Sequence, residues 1–161
     1  MWTVIESPVG DLRLVERDGA ITAIEFSPFH DDAVGGRPRG ARQDDHPLLV
    51  EAVRQLTAYF ARDLKEFDLP LAPAGSAFQQ QVWGRLLEIG YGETASYGEI
   101  AHRIGRTNAA SRAVGLANGS NPIPIVIPCH RVIGANGTLT GYAGGLERKQ
   151  LLLGLEQEAL F

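Results

Sequence analysis

Apolar and polar positions alternate at the start of the chain and predict three short β-strands. We expect these strands at Trp2–Ser7, Leu12–Arg17 and Ala20–Phe26. The last two are separated by Asp18-Gly19, and an Asp-Gly pair between alternating segments favours a tight hairpin turn. The chain is therefore predicted to open with a small antiparallel sheet.

A helix is predicted after the sheet, beyond a polar segment. Residues Ser27–His46 contain Pro, Gly, Asp and Arg without apolar periodicity, which indicates a long loop. Pro47 suits the first position of a helix, and apolar side chains recur behind it at helical spacing: Leu48, Leu49, Ala52, Val53, Leu56, Tyr59 and Phe60. The proline-rich stretch Leu69–Gly75 then predicts a linker. We expect one domain over residues 1–75 and a second over residues 76–161.

Three short helices are predicted next, followed by a buried extended segment. Serines followed three residues later by Gln or Glu have the capping-box spacing that marks two helix starts: Ser76 with Gln79, and Ser96 with Glu99. A third helix is expected over Ala109–Ala117, capped by Thr107 or Asn108. The last two helices, joined by a short turn that contains glycine, are typical of a helix-turn-helix unit. Helical hairpins also occur in proteins that never bind DNA, so this pattern alone leaves the function open.

The segment before the cysteine is rich in proline. Asn121–Pro128 holds three prolines among isoleucines and valine. Each proline fixes its own φ and disfavours helix in the preceding residue, so we expect a buried, strand-like segment that delivers Cys129 to a defined place. Neighbours in an extended chain point to opposite sides, so Cys129 and His130 need not meet. A final helix is expected from about Leu146 to Gln157.

Composition is that of an ordinary globular chain. It has 161 residues, of which 44% are hydrophobic and 21% charged. No segment resembles a signal peptide or reaches the roughly 18 apolar residues of a membrane span, so we expect a cytoplasmic protein that does not enter membranes. One cysteine excludes an internal disulfide, and the four histidines lack close ligand spacing, so no metal site is expected.

Charge is distributed unevenly along the chain. The formal net charge of −4 argues weakly against a dedicated nucleic-acid binder. However, no carboxylate occurs between Ile100 and Leu146, and four arginines fall inside this stretch: Arg103, Arg106, Arg112 and Arg131. They indicate a surface where a polyanion could dock, or simply a solvated surface, and charge alone does not decide between the two.

Cys129 is the candidate nucleophile. The thiolate is the reactive form, and a free thiol with a pKa of about 8.5 is mostly protonated at neutral pH, so a base must remove the proton. His130 is a candidate base, acting directly or through a water. Glu156 is a candidate to orient it, because the chain turns back through the glycine-rich stretch Gly141–Gly145. A lone cysteine is more commonly a small buried hydrophobic residue, and the residues by themselves leave this alternative open.

The wider sequence around Cys129 resembles the active-site signature of the O6-alkylguanine-DNA alkyltransferases. The matching segments are Asn121–Gly134, Gly141–Leu146, Phe78–Trp83, Tyr91–Thr94, Ser96-Tyr97 and Ala110–Gly115. The resemblance covers about half of the chain strongly and the N-terminal half in architecture. It implies a two-part α/β protein: an N-terminal ribonuclease H-like antiparallel sheet plus helix, and a C-terminal mainly helical domain with the helix-turn-helix.

The resemblance implies direct repair of duplex DNA that contains O6-alkylguanine, with O4-alkylthymine a weaker substrate. Cys129 would take the alkyl group and keep it as a thioether, so each molecule, expected to be a monomer, acts once and without a cofactor. His130 would act on the thiol through a water, and Glu156 would orient His130. Asn121 would brace the turn around the cysteine, and Tyr97 would help to protonate the leaving base. Some members hold zinc through N-terminal cysteines, which this chain lacks.

The resemblance also implies contacts to the base and the duplex. The carbonyls of Cys129 and Val132 would accept from the guanine amine, the N–H of Ala143 would approach O6, and Tyr142 would line the pocket. Arg112 would enter the duplex and fill the place of the flipped base. The recognition helix would lie in the minor groove, where its small residues allow a close approach to the phosphates: Ala109, Ala110, Ser111, Ala113 and Gly115.

Two other functions remain as alternatives. A lesion-binding protein without catalysis would keep its DNA affinity when Cys129 is changed and would transfer no alkyl group. A cysteine hydrolase or redox thiol would turn over many times and would not need Arg112. Neither alternative accounts for a helix-turn-helix beside the proline-rich segment.

Overall fold

A computed structural model describes residues 1–29, 40–139, 141–142 and 144–158. The chain divides into two compact units, Met1–Pro73 and Ala74–Phe161. Within the described residues, no helix is both long and apolar enough to cross a membrane.

The first unit contains the predicted antiparallel sheet. Its strands are β1 (Trp2–Ile5), β2 (Leu12–Arg17) and β3 (Ala20–Phe26), in the order β1-β2-β3. Asp18 and Gly19 have φ angles of 53° and 82°, the left-handed conformations that a tight two-residue hairpin turn requires. Strand β1 is shorter than predicted, because the chain turns after Ile5 and the N–H of Gly10 bonds back to the carbonyl of Ser7 at 3.0 Å.

Helix α1 (Pro47–Phe60) begins at the predicted proline. His46 caps it, because its Nδ1 accepts from the N–H of Leu48 at 3.2 Å. The apolar face of α1 and the inner face of the sheet share one core: Leu12, Leu14, Ile21, Ile24, Leu49, Ala52, Leu56 and Tyr59. At the end of the predicted loop Ser27–His46, residues 41–43 pair with Trp2 at the edge of β1. Residues 30–39 of that loop lie outside the described residues.

The second unit is mainly helical. Its helices are α2 (Ala77–Leu86), α3 (Tyr97–Arg103), α4 (Ser111–Gly119) and α5 (Leu146–Glu158), with a short parallel pair of strands, β4 (Ala95–Ser96) and β5 (Val132–Ile133). The capping box at Ser76 is present, since its Oγ accepts from the N–H of Gln79 at 3.1 Å and its own N–H donates to Gln79 Oε1 at 2.8 Å. Ser96 caps α3, because its Oγ accepts from the N–H of Glu99 at 3.1 Å. The sequence-based fold class is confirmed.

The start of the third helix was predicted wrongly. Residues Asn108–Ala110 form a 3₁₀ turn, and α4 begins only at Ser111. Thr107 makes no capping hydrogen bond with its side chain. The Oδ1 of Asn108 lies instead 3.1 Å from Nε2 of His102 on the preceding helix. The side chain expected to cap α4 therefore ties the turn to α3.

The proline-rich segment was predicted correctly as buried but wrongly as extended. It is a compact turn, in which the N–H of Ile127 bonds to the carbonyl of Ile123 at 3.0 Å and Ile125 has a left-handed φ of 74°. A proline restrains its own φ and the residue before it, and Ile125 follows Pro124 and is therefore not restrained by it. The turn leads into a 3₁₀ turn at Cys129–Arg131, so Cys129 and His130 do not lie on an extended chain.

Candidate active site

Cys129 is held in place by two buried asparagines. The Nδ2 of Asn121 donates to the carbonyl of Ile127 at 2.8 Å, and its Oδ1 accepts from the N–H of Ile123 at 3.0 Å. One amide side chain thus closes the turn that precedes the cysteine. From α4, Asn118 donates to the carbonyl of Cys129 at 3.3 Å. Asn121 was predicted to brace this turn, whereas Asn118 was not singled out by the sequence.

The Cys129 thiol is buried and protonated at neutral pH. Burial raises the pKa of Cys129 to about 11, although hydrogen bonding to Asn121, the charge of Lys149 and hydrogen bonding to Tyr142 all act to lower it. A thiolate therefore forms here only if a base takes the proton as the reaction proceeds.

His130, the next residue along the chain, is the candidate for such a base. Its side chain is fully buried, and Nε2 lies 2.7 Å from Oε2 of Glu156. Burial lowers the pKa of His130, although the nearby carboxylate acts to raise it. The lowered pKa favours the neutral ring. When a neutral ring donates from Nε2 to a carboxylate, Nδ1 keeps a free lone pair. Nδ1 is buried and has no hydrogen-bond partner among the described residues, so this lone pair is available to a proton or a water.

Glu156 is shared between His130 and Arg131. Oε1 accepts from Arg131 Nε at 2.9 Å, and Oε2 accepts from Arg131 Nη2 at 3.0 Å as well as contacting His130. Burial by itself raises the pKa of Glu156, but the hydrogen bonds and charges of His130 and Arg131 outweigh it and lower the pKa to about 2. The carboxylate is therefore ionised across the physiological range and fixes the ring of His130.

Arg131 belongs to this buried network and not to a polyanion-binding surface. It is 6% exposed, and besides Glu156 it donates from Nη1 to the carbonyl of Ile89 at 2.5 Å. Its guanidinium also lies 5.9 Å from the ring centre of Tyr91. From the sequence, Arg131 was grouped with three other arginines by charge alone. Only the fold shows that α5 supplies a buried carboxylate to Arg131.

Lys149 is a functional candidate that the sequence reasoning missed. It is fully buried on α5, and its Nζ donates to the carbonyl of Val132 at 2.6 Å. Burial lowers the pKa of Lys149, and the interaction with Cys129 opposes this shift. The sequence did contain a pattern that could have identified Lys149. It stands seven residues before Glu156 and so lies on the same face of the helix. The Val132 carbonyl, which was predicted to receive the guanine amine, is the atom that Lys149 contacts.

Tyr142 lies beside the thiol, while Tyr97 lies near α4. The Tyr142 hydroxyl is buried; burial raises the pKa of Tyr142 well above its ordinary value, and the charge of Cys129 adds to this. Tyr97 opens α3, and its ring stands 3.7 Å from the position that a Cβ would take on Gly115. Ala143, predicted to present its N–H to the base, lies outside the described residues.

Helix α4 presents the predicted DNA-binding residues. Arg112 is exposed in its first turn, and Ala110 and Ser111 are half-buried at its start. Helix α2 packs against the inner side of α4, where the indole N–H of Trp83 donates to the buried carbonyl of Ala117 at 2.8 Å. Among the described residues, no group of three acidic, histidine or cysteine side chains is placed to hold a metal ion.

Two family models together match nearly the whole chain. The ribonuclease-like domain of 6-O-methylguanine DNA methyltransferase matches residues 1–73, and the DNA binding domain of 6-O-methylguanine DNA methyltransferase matches residues 77–158.

Relatives named methylated-DNA–protein-cysteine methyltransferase match at similar length. The protein of Mycolicibacterium paratuberculosis is 52% identical over 156 residues, which are 97% of this chain and 92% of the relative. That of Methanosarcina acetivorans is 49% identical over 159 residues, which are 96% of this chain and 97% of the relative. The crystal structure of Mycobacterium tuberculosis OGT in complex with DNA has a TM-score of 0.84 at 48% identity, over 98% of this chain and 93% of that one. This chain belongs to the 6-O-methylguanine DNA methyltransferase family.

Proposed function

We propose that this protein repairs O6-alkylguanine in duplex DNA by moving the alkyl group onto its own Cys129. The observation that carries the proposal is the 2.7 Å contact between His130 and Glu156, beside the single cysteine of the chain. It leaves Nδ1 of a neutral imidazole as an acceptor in a buried site whose thiol needs a base.

The reaction is a displacement at the alkyl carbon. Nδ1 of His130 takes the thiol proton through a water while Sγ of Cys129 attacks the carbon in line with O6. The S–C bond forms, the C–O bond breaks, and its electron pair remains on guanine. The Tyr97 hydroxyl supplies a proton to the leaving base at N3. The proton that the thiol passed to His130 then returns to Tyr97 through solvent, so that guanine gains one proton and the thiol loses one.

Burial makes the concerted proton transfer necessary. With a pKa of about 11, forming the free thiolate at pH 7 would cost roughly 5 kcal/mol. The cost would be higher without Lys149 and Tyr142, because both act to stabilise negative charge on sulfur. The product is a thioether, which water does not cleave, so each molecule reacts once. This step uses the side chains of the protein and the substrate, without a cofactor.

DNA recognition is assigned to α4. Arg112 fills the place of the extruded base, a step that costs a few kcal/mol and costs less at a damaged pair. Ala110 and Ser111 allow close approach to the phosphates, Ala143 contacts O6, and the same pocket accepts O4-alkylthymine less well. We assign DNA binding and alkyl acceptance to residues 76–161. A monomer in the cytoplasm, where a lone thiol stays reduced, fits this use of the cysteine.

Intact mass spectrometry tests the proposal. The protein is incubated with a duplex that carries one O6-methylguanine, and Cys129→Ser is treated alongside it. We expect the mass to rise by one methylene per molecule, never more, and the variant to show no gain. Binding of the lesion duplex without any mass gain would contradict the proposal and favour a lesion-binding protein instead.

A further inference from the structure

Leu116 is the most exposed large apolar side chain in the described part of the chain. It is 72% exposed, and the next, Leu87, is 52% exposed. Single exposed apolar residues are common on protein surfaces and need no function. The position of Leu116 on α4 is what makes it informative.

Leu116 shares a helix face with Arg112. Val114, Ala117 and Asn118 are buried and form the inner side of α4. Leu116 follows Arg112 by four residues, the spacing that places two side chains one above the other on the outer side.

The rest of this face is flat. Ala113 is exposed beside Arg112, and at Gly119 a Cβ would meet nothing within 4 Å. Two large side chains therefore project from a surface of small ones, one cationic and one apolar. The sequence around them holds no carboxylate from residue 101 to residue 145, and Arg103 and Arg106 are exposed on the neighbouring helix and turn. The charge of the surroundings thus matches a polyanion.

We propose that Leu116 enters the minor groove of the duplex and packs against the sugar edges that line it. The inference rests on the proposed use of α4 as the recognition helix. Four residues of helix span about 6 Å, which is close to two base-pair steps of about 3.4 Å. Leu116 therefore contacts the groove about two base pairs from the nucleotide that Arg112 displaces.

An apolar contact at this place suits a protein that searches DNA of any sequence. Minor-groove proteins place leucine and similar apolar side chains in the groove and deform the duplex there, and sugar edges are apolar in every sequence. Arg112 acts at the damaged nucleotide, whereas Leu116 widens the groove beside it. Arg112 thus contributes to extrusion of the base, and Leu116 contributes to opening of the groove.

The test compares Leu116→Ala with Leu87→Ala, which removes the same atoms from an exposed leucine at the end of α2. Affinity for an undamaged duplex is measured by fluorescence anisotropy at several salt concentrations. We expect Leu116→Ala to bind about tenfold more weakly at every salt concentration, because it loses apolar contact and no phosphate contact. The salt slope should stay that of the wild type, Leu116→Met should recover most of the affinity, and Leu87→Ala should bind as the wild type does.

Three results would overturn the inference. One is wild-type affinity in Leu116→Ala. Another is a loss that disappears at high salt, which would make the role electrostatic. The third is a wild-type dimer that Leu116→Ala converts to a monomer in sedimentation, which would make the side chain a contact between copies. Failure of the proposed function looks different, because the wild type itself would then gain no methylene from the lesion duplex.

Discussion

The cluster around Cys129 and the outer face of α4 lie in the same unit and are built in opposite ways. In the cluster, His130, Arg131 and Glu156 are buried and tied to one another by hydrogen bonds of 2.7 to 3.0 Å. On α4, Arg112 and Leu116 project from small residues into solvent. A thiol that must lose its proton only during reaction needs an enclosed, fixed environment. A surface that must scan DNA needs exposure and few fixed partners.

Replacing Glu156 by Gln should give the largest effect, and that effect should be a slower chemical step. A neutral amide neither stabilises the imidazolium nor fixes its ring, so we expect methyl transfer to slow by about 10²- to 10³-fold. Removing the charge also leaves Arg131 buried without its partner, which should lower the free energy of unfolding by about 3 to 5 kcal/mol. A mass time course and urea unfolding measure the two losses.

The matched control is Glu147→Gln, which makes the same change at an exposed position in the first turn of α5. It should leave both the transfer rate and the unfolding free energy near those of the wild type. Equal losses in the two variants would remove the distinction between the buried cluster and the helix surface.

Replacing Arg112 by Ala should give the second-largest effect, and that effect should be weaker recognition of damaged DNA. Because base extrusion costs a few kcal/mol, we expect repair of a lesion duplex to fall by about 10- to 100-fold. The reaction with a free O6-alkylguanine base should fall far less. Arg54→Ala removes an exposed arginine from α1 in the first unit and serves as the control. Similar losses on duplex and free base would refute the role of Arg112 in extrusion.

Replacing Lys149 by Met should have a smaller effect on transfer. The variant loses a cation that acts to lower the pKa of Cys129, so that pKa should rise further and transfer at neutral pH should slow by about tenfold. Lys65→Met makes the same change at an exposed site of the first unit. A rate unaffected by Lys149→Met would show that its bond to Val132 is purely structural.

The pH dependence of stability should report on the buried cluster, and its expected effect is the smallest. Burial raises the pKa of Cys129 from 9.0 to about 11, so its contribution is complete below pH 9 and is lost as pH rises to 11, by about 3 kcal/mol. The pKa of Glu156 falls from 4.5 to about 2, so its contribution, about 3 kcal/mol, is complete above pH 4.5 and is lost toward pH 2. Urea unfolding from pH 8 to 10.5 should show the alkaline loss in wild type. Cys129→Ala should show a smaller loss, because only the raised pKa of Tyr142 then contributes in this direction, and an identical loss would contradict the raised pKa of Cys129.

Elements set by local chemistry could be predicted from the sequence. The Asp18-Gly19 turn and the Ser76 capping box depend on residues a few positions apart, and both are present. The pairing of His130 with Glu156 was foreseen because the chain must turn back after the glycine-rich stretch. Features that depend on distant packing were not foreseen. The left-handed Ile125 needs the bracing of Asn121, and the burial of Lys149 and Arg131 needs α5 to lie against β5 and the turn that carries the cysteine.

The most direct test compares Glu156→Gln and Arg112→Ala on two substrates, a lesion duplex and the free O6-alkylguanine base. The rate of alkyl transfer to Cys129 is measured by mass for each pair, relative to the wild type. Glu156→Gln should lose rate on both substrates by a similar factor, because the chemistry itself is impaired. Arg112→Ala should lose rate mainly on the duplex. If both variants showed the same ratio of duplex to free-base loss, chemistry and recognition would not be divided between the buried cluster and α4.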